Sequence, residues 1–274
     1  MWKKLRKTLE FQPKSILAII IGFSSLIYSP GLLLAQSNDQ TNSHAQEVKI
    51  SFNPPAQLEP PNRGTPKSNK GTGSRGDCLY NSYLPQLQSL AGKNYLKFTT
   101  SDRPTIWVYL PYTKNEAPYG EFSLQDGDKE LYRTRFQLKT KPGIMGIKLP
   151  STVESLKVGK SYRWYVDINC SNSLSKDDFS TPASLTGMIE RVAYSQDFRR
   201  EIQKTASKPL NQIATYAKHG IWYDALTELA QLRLEQPDNS ILKQIWNQLL
   251  SDQHVNLEEI SSAAFLGNVE VIEP

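Results

Sequence analysis

The chain has 274 residues, 32 of them basic and 27 acidic, with two cysteines and three histidines. Residues 1–35 hold five of the basic residues and one of the acidic ones, so the remainder carries 27 against 26 and is nearly neutral. That balance excludes the basic patch of a nucleic-acid binder, and the scattered His44, His219 and His254 exclude a metal-ligand cluster of ordinary spacing.

Lys3, Lys4, Arg6, Lys7 and Lys14 precede an uncharged apolar run from Ser15 to Ala35. A positive start, an apolar core and a small residue at Ala35 are the grammar of a secretory signal, with cleavage expected after Ala35. The alternative is an uncleaved anchor, since the run is just long enough to span a bilayer. Pro30-Gly31 favours cleavage, because the pair breaks a spanning helix. Either way the chain is expected to be exported, to the periplasm, cell envelope or medium, and to touch a membrane only through this segment.

Residues 36–76 are rich in Asn, Gln, Ser, Pro, Lys and Gly and read as a flexible linker that buries too little to offset its ordering entropy. Val48, Ile50 and Phe52 are its one apolar cluster, and Pro54-Pro55 ends it. Arg75-Gly76-Asp77 matches the tripeptide read by adhesion receptors, but beside Cys78 it reads as a turn. In an oxidising compartment the even pair Cys78 and Cys170 is expected to form one disulfide.

From Cys78 to about Ala193 the pattern is that of short strands. Candidates run over Tyr95–Thr100, Pro104–Pro111, Gly120–Gln125, Lys129–Leu138 and Gly143–Leu149. Pro104–Pro111 is apolar on both faces, with Ile106, Val108 and Leu110 on one and Trp107 and Tyr109 on the other, so it is expected to be covered on both sides. Asp126-Gly127-Asp128 between two alternating runs predicts a hairpin. The sixth candidate is the most sharply patterned: Tyr162, Trp164, Val166 and Ile168 alternate with Arg163, Tyr165, Asp167 and Asn169. A seventh lies around Leu185–Ala193. The lead-in Leu156-x-x-Gly159-x-x-Tyr162 resembles the corner that enters a late strand of fibronectin type III and immunoglobulin-like sandwiches, where the Tyr hydroxyl bonds back to upstream backbone. The fold class expected is therefore a β-rich, immunoglobulin/fibronectin III-like antiparallel sandwich over residues 77–194.

After Arg191 the period changes. Phe198, Ile202, Leu210, Ile213, Ala214 and Ala217 are at helical spacing, and His219-Gly220 is a helix stop. Ile221–Glu235 is amphipathic, with Leu226, Leu229, Ala230 and Leu234 on one stripe, and Ser240–Leu250 forms a further helix beyond Pro237. Tyr216, Gly220, Ala225 and Pro237 resemble one degenerate tetratricopeptide hairpin. A lone repeat cannot bury its own stripe, so residues 195–274 are expected to pack on or beside the sandwich, or on a partner.

The central block as a whole carries a more specific pattern. Arg75-Gly-Asp-Cys78, Arg103-Pro-Thr-Ile-Trp-Val-Tyr-Leu-Pro-Tyr112, Glu121-Phe-Ser-Leu-Gln-Asp126, Pro142-Gly-Ile144, Gly159-Lys-Ser-Tyr-Arg-Trp-Tyr165 and Cys170 occur in order. In these motifs the chain resembles the cyanobacterial domain of unknown function family numbered 928, over roughly Phe52 to Leu250. The resemblance implies an exported protein whose helices belong to the family pattern. It implies no catalytic residue.

No nucleophile elbow, zinc-protease, phosphate-loop or dinucleotide-binding signature is present. Asp126 and Asp128 flank a turn glycine and read as turn residues, and Asp177-Asp178 has a similar status. No catalytic residue, cofactor or metal site is expected. The expected function is non-catalytic binding of a protein partner in the envelope, the alternative a carbohydrate-binding module for cell-wall or extracellular glycan. Trp107, Tyr109, Tyr112, Tyr119, Tyr165, Trp222 and Trp246 are the candidate binding surface, because aromatics anchor both protein and sugar. The competing reading puts Trp107 and Tyr165 beneath the C-terminal helices. Surface aromatics beside Asn, Gln or Asp would favour glycan, and a helical groove near Trp222 and Trp246 would favour protein.

Overall fold

Among the described residues eight strands precede the helices: β1 (Gln88–Ser89), β2 (Phe98–Thr99), β3 (Thr105–Leu110), β4 (Tyr119–Asp126), β5 (Lys129–Gln137), β6 (Gly143–Lys148), β7 (Lys160–Asn169) and β8 (Ala183–Arg191). Four helices follow: α1 (Gln196–Lys204), α2 (Pro209–Lys218), α3 (Trp222–Glu235) and α4 (Ser240–Leu250). The tail adds β9 (Phe265–Asn268) and β10 (Glu270–Ile272). The computed structural model describes residues 50–55, 70–71, 78, 81–92, 96–170 and 182–272. The expected signal segment, the Arg75-Gly76-Asp77 turn and Asp177-Asp178 lie outside the described residues.

The strands form a four-stranded sheet, β1-β3-β6-β9, and a six-stranded sheet, β10-β5-β4-β7-β8-β2. The expectation of a purely antiparallel architecture is corrected at two edges: β2 runs parallel to β8, and β9 parallel to β6. Parallel neighbours require long crossovers, and here both edge strands come from segments remote in sequence from their partners. Strands β2 to β8 correspond to the seven sequence candidates, whereas β1, β9 and β10 have no counterpart there. Between β4 and β5 the chain reverses at Gly127, whose φ of 60° a residue with a Cβ adopts only under strain.

The alternation in β7 sets the six-stranded sheet on the core. Tyr162, Trp164, Val166 and Ile168 are buried, and the intervening residues are half-buried. Trp164 fits because Gly187 lies opposite it in register, and a Cβ there would fall 2.1 Å from the indole. The Tyr162 hydroxyl accepts a 2.9 Å hydrogen bond from the Lys157 N–H. All six residues of β3 are buried, as its two apolar faces require. One hydrophobic core runs through both sheets and the helices.

The helical spacing read from Phe198 to Ala217 is divided. The Ser195 hydroxyl accepts from the Phe198 N–H and starts α1, which ends at Lys204, and Pro209 opens α2 where its missing N–H leaves no gap in the ladder. Leu226, Leu229 and Ala230 of α3 are buried, while Leu234 at the end of the stripe is exposed.

A stretch expected to be linker and the end of the expected helical region complete the fold. Ile50 and Phe52, in the stretch read as a linker without buried contacts, are buried. The Phe52 ring meets Trp222 edge-on at 5.2 Å, and the Asn53 N–H donates to the Ala217 carbonyl at 3.1 Å. Two apolar side chains suffice to order this stretch because the helices supply a ready surface, and each burial contributes about 1.5–3 kcal/mol. At the other end, β9 joins the four-stranded sheet and β10 the six-stranded one, with only Val269 between them. The tail thereby bridges the sheets and covers an edge of each, where unpaired backbone would otherwise invite another strand. Cys78 and Cys170 are disulfide-bonded, their Cα atoms 5.1 Å apart. No helix among the described residues is long and apolar enough to cross a membrane.

Candidate functional site

The seven aromatic residues singled out from sequence do not form one surface. Trp107, Tyr109, Tyr112, Trp222 and Trp246 are buried, and only Tyr119 and Tyr165 retain partial exposure. Apolar area drives the five inward, and the indole N–H groups of Trp107 and Trp222 are used as joints. The Trp107 indole N–H donates to the Thr227 hydroxyl of α3 at 3.1 Å, and Gly146 opposite it leaves room for the ring. The Trp222 indole N–H donates to the Leu90 carbonyl at 2.7 Å. Helix α3 therefore covers Trp107. Tyr165 points away from Trp164, the β7 residue that meets α3.

Tyr119 and Tyr165 share the outward face of the six-stranded sheet, where register places Ser123 and Thr186 on either side of Tyr165. The β4–β5 side of that face is ionic. Glu121 pairs with Arg133 and Arg135, Glu130 also pairs with Arg133, and the Arg135 guanidinium lies 5.0 Å over the Tyr119 ring. The two carboxylates hold the Arg133 guanidinium well above its ordinary range.

A second polar group sits where α3 meets the sheets. Asp224, half-buried, accepts from the Thr99 hydroxyl at 2.7 Å, the Thr100 hydroxyl at 2.6 Å and the Thr100 N–H at 3.1 Å. Burial pushes its carboxyl above the ordinary range, against the pull of those donors. Glu228, one turn along α3, is likewise raised by burial and by the charge of Asp224. Both line a cavity of about 170 Å³ with Arg103, Lys148 and Gln231. Thr99 and Thr100, on the sheet side, both donate to Asp224 of α3, so this carboxylate is a tie between helix and sheet. Among the described residues no group of three His, Cys, Asp or Glu side chains is placed to hold a metal ion.

A cavity on the helical region lies between the α3–α4 turn and the tail. It measures about 430 Å³ and is lined by Arg233, Pro237, Lys243, Asn247 and residues 261–265. Asn239 builds the turn: its side chain accepts from the N–H groups of Ile241 and Leu242 and starts α4, which sets Lys243 and Asn247 on the rim. Arg233, in the last turn of α3, is stacked with its Cζ 4.9 Å from each of the Trp246 and Phe265 rings. Burial lowers its pKa from the ordinary guanidinium value. The aromatic signal at Trp246 pointed to this end of the molecule, but Arg233, the charge beside it, carried no motif. By helical spacing it falls on the stripe of Leu226, Leu229 and Ala230, four residues beyond Leu229.

A family model described as Domain of Unknown Function (DUF928) matches residues 70–265. No curated protein matches the chain. Among solved structures the chain is similar to a Parabacteroides merdae beta-glucuronidase, at 10% identity and a TM-score of 0.23, over 64% of this chain and 28% of that one. A likeness at that score carries no argument about fold or activity.

Proposed function

The chain belongs to the DUF928 family, and we propose that it is an exported, non-catalytic interaction protein that binds a protein partner through its sandwich and helical region. The observation that carries this reading is the cavity between the α3–α4 turn and the tail, with its cationic rim on a helical surface. Export is supported by the Cys78–Cys170 disulfide, which persists in oxidising compartments, and by the charged and apolar N-terminal sequence.

The architecture is read as an immunoglobulin/fibronectin III-like sandwich with added edges. Counting β1 and β3 to β8 as seven strands, the first, second and fifth share one sheet, and the third, fourth, sixth and seventh share the other. The Tyr162 hydroxyl bonded to the Lys157 N–H supports a tyrosine corner. Helices α2 and α3, hinged at Gly220, are read as a tetratricopeptide-like hairpin whose apolar stripe is covered by the sandwich.

The test is a photo-crosslinking residue placed at Lys243 or Asn247, both exposed, in the full chain in its native cell. A single protein captured from both positions, and not from a control position at Lys129 on the β4–β5 turn, is expected. No specific adduct from either rim position overturns the reading.

The glycan reading retains one supporting feature, the partly exposed Tyr119 and Tyr165 beside Asp167 and Asn169. Retention on cell-wall glycan that is lost in Tyr165→Ala would favour it over the protein partner.

A further inference from the structure

The Arg233 guanidinium is half-buried without a counter-charge. Its Nη1 is buried and has no hydrogen-bond partner, and no carboxylate of a described residue pairs with it. The neighbouring Trp246 Nε1 is buried and unpartnered as well. Removing a cation from water is costly unless an anion or several acceptors replace the lost hydration. Two aromatic faces return part of that cost through cation–π contact, but they accept no in-plane hydrogen bond from the guanidinium edge.

The cavity that Arg233 lines repeats the same bias. Its other charged side chain is Lys243, its amide is Asn247 and its hydroxyls are Ser261 and Ser262, and no acidic side chain of a described residue lines it. The Ser261 hydroxyl donates to the Glu258 carbonyl at 2.9 Å, which leaves its lone pairs but not its proton for a ligand. Pro237, Ala263 and Phe265 give the cavity an apolar wall. A space of about 430 Å³ falls within the range of small-ligand pockets, roughly 300–1,000 Å³.

We propose that this cavity is a carboxylate-binding site, in which Arg233 is the seat and Lys243 and Asn247 are the rim, and that it takes an acidic side chain or chain end of a partner peptide. A guanidinium presents donors in a planar fork that matches a carboxylate. A singly charged group balances the one half-buried cation, and the apolar wall suits an acid carried on carbon better than an inorganic ion. The inference rests on the proposed function for its choice of surface and partner, but the site's chemistry is tested without the partner.

The experiment is a titration of the full mature chain, its Trp indole N–H resonances followed by NMR and that of Trp246 assigned with Trp246→Phe. N-acetylglutamate is the probe, with N-acetylglutaminamide and inorganic phosphate as controls at matched ionic strength. A saturable shift of the Trp246 indole with N-acetylglutamate is expected, with none from the neutral amide and a weaker response to phosphate. Lys243→Gln, an exposed change that leaves the fold intact, should weaken the response several-fold, and Arg233→Lys by on the order of tenfold or more, because the planar fork is lost. The proposal is overturned by no saturable shift at about 10 mM probe, by an equal response to the amide, by tighter binding of phosphate, or by a Lys243→Gln chain that binds as the parent does. Probe binding without a crosslinked protein would refute the partner reading alone, and a crosslinked protein without probe binding would refute the carboxylate site alone.

Discussion

The indole N–H of Trp164 donates a 2.8 Å hydrogen bond to the hydroxyl of Tyr223, and both side chains are buried. Trp164 lies on β7 and Tyr223 on α3, and the same hydroxyl donates onward to the Met188 carbonyl of β8 at 3.1 Å. This relay, with Trp222–Leu90, Trp107–Thr227 and Asp224–Thr100, makes α3 a structural member of the sheet assembly.

Tyr223→Phe keeps the ring and removes the relay. The Trp164 N–H and the Met188 carbonyl would both be left buried and unpaired, and each unmet group costs about 1–3 kcal/mol. Urea unfolding should show a loss of ~2 kcal/mol or more with an unchanged m-value. A loss below about 0.5 kcal/mol would show that the relay does not stabilise the fold.

Truncation after Ala193 removes α3 and both tail strands. The outer edges of β5 and β6 and the faces of Trp107 and Trp164 would be uncovered. The truncated chain is expected to aggregate or to unfold at markedly lower denaturant than the parent, as read by gel filtration and urea titration. A soluble monomer as stable as the parent would mean that the helices are dispensable to the sheets.

Asp224 should give an inverted pH signature. Its folded pKa is raised by burial above the ordinary 3.8, so between 3.8 and that raised value the native state binds more protons than the unfolded state. Stability from this group therefore increases as pH falls from neutral through the folded pKa, and levels off below the unfolded one. Asp224→Asn removes the titration. The stability difference between parent and variant, measured from pH 7 down to about pH 4, should move in favour of the parent as the pH drops. A constant difference would place the Asp224 pKa at its ordinary value.

Cys78→Ser with Cys170→Ser should cost about 4–5 kcal/mol in the chain-entropy model for a closure of 92 residues. Thiol labelling of the denatured, non-reduced parent should find no reactive cysteine, whereas quantitative labelling of both would remove the premise.

The amino-acid order by itself determined the pattern-bearing elements. Period-two alternation at Tyr162–Asn169 fixed which face of β7 is buried, because a one-residue shift would turn Trp164 to water. The apolar run at Ile106–Leu110 and the Asp-Gly turn at 126–127 were legible for the same local reasons, and the spacing of Leu226 and Leu229 was legible as a helix stripe. Most of the family motifs fall in or beside β3, β4, β6 and β7, and they were legible too.

Tertiary structure alone decided what covers what. Ile50 and Phe52 sit in a polar, proline-rich stretch whose composition signals no order, and they are placed only because Trp222 and α2 offer them a surface. Strands β9 and β10 are short edge pairings whose backbone hydrogen bonds are indifferent to side-chain period. Trp107 was legible as a residue on a strand that needs cover on both faces, but only the position of Thr227 shows that α3 supplies the cover on its side. Arg233 shows the limit most plainly. An arginine near a helix end is most often solvated, and its partial desolvation follows from Trp246 and Phe265 closing on it from two other elements. Local patterns record what neighbours along the chain require of one another, whereas burial and charge balance at a site are set by residues that meet only after folding.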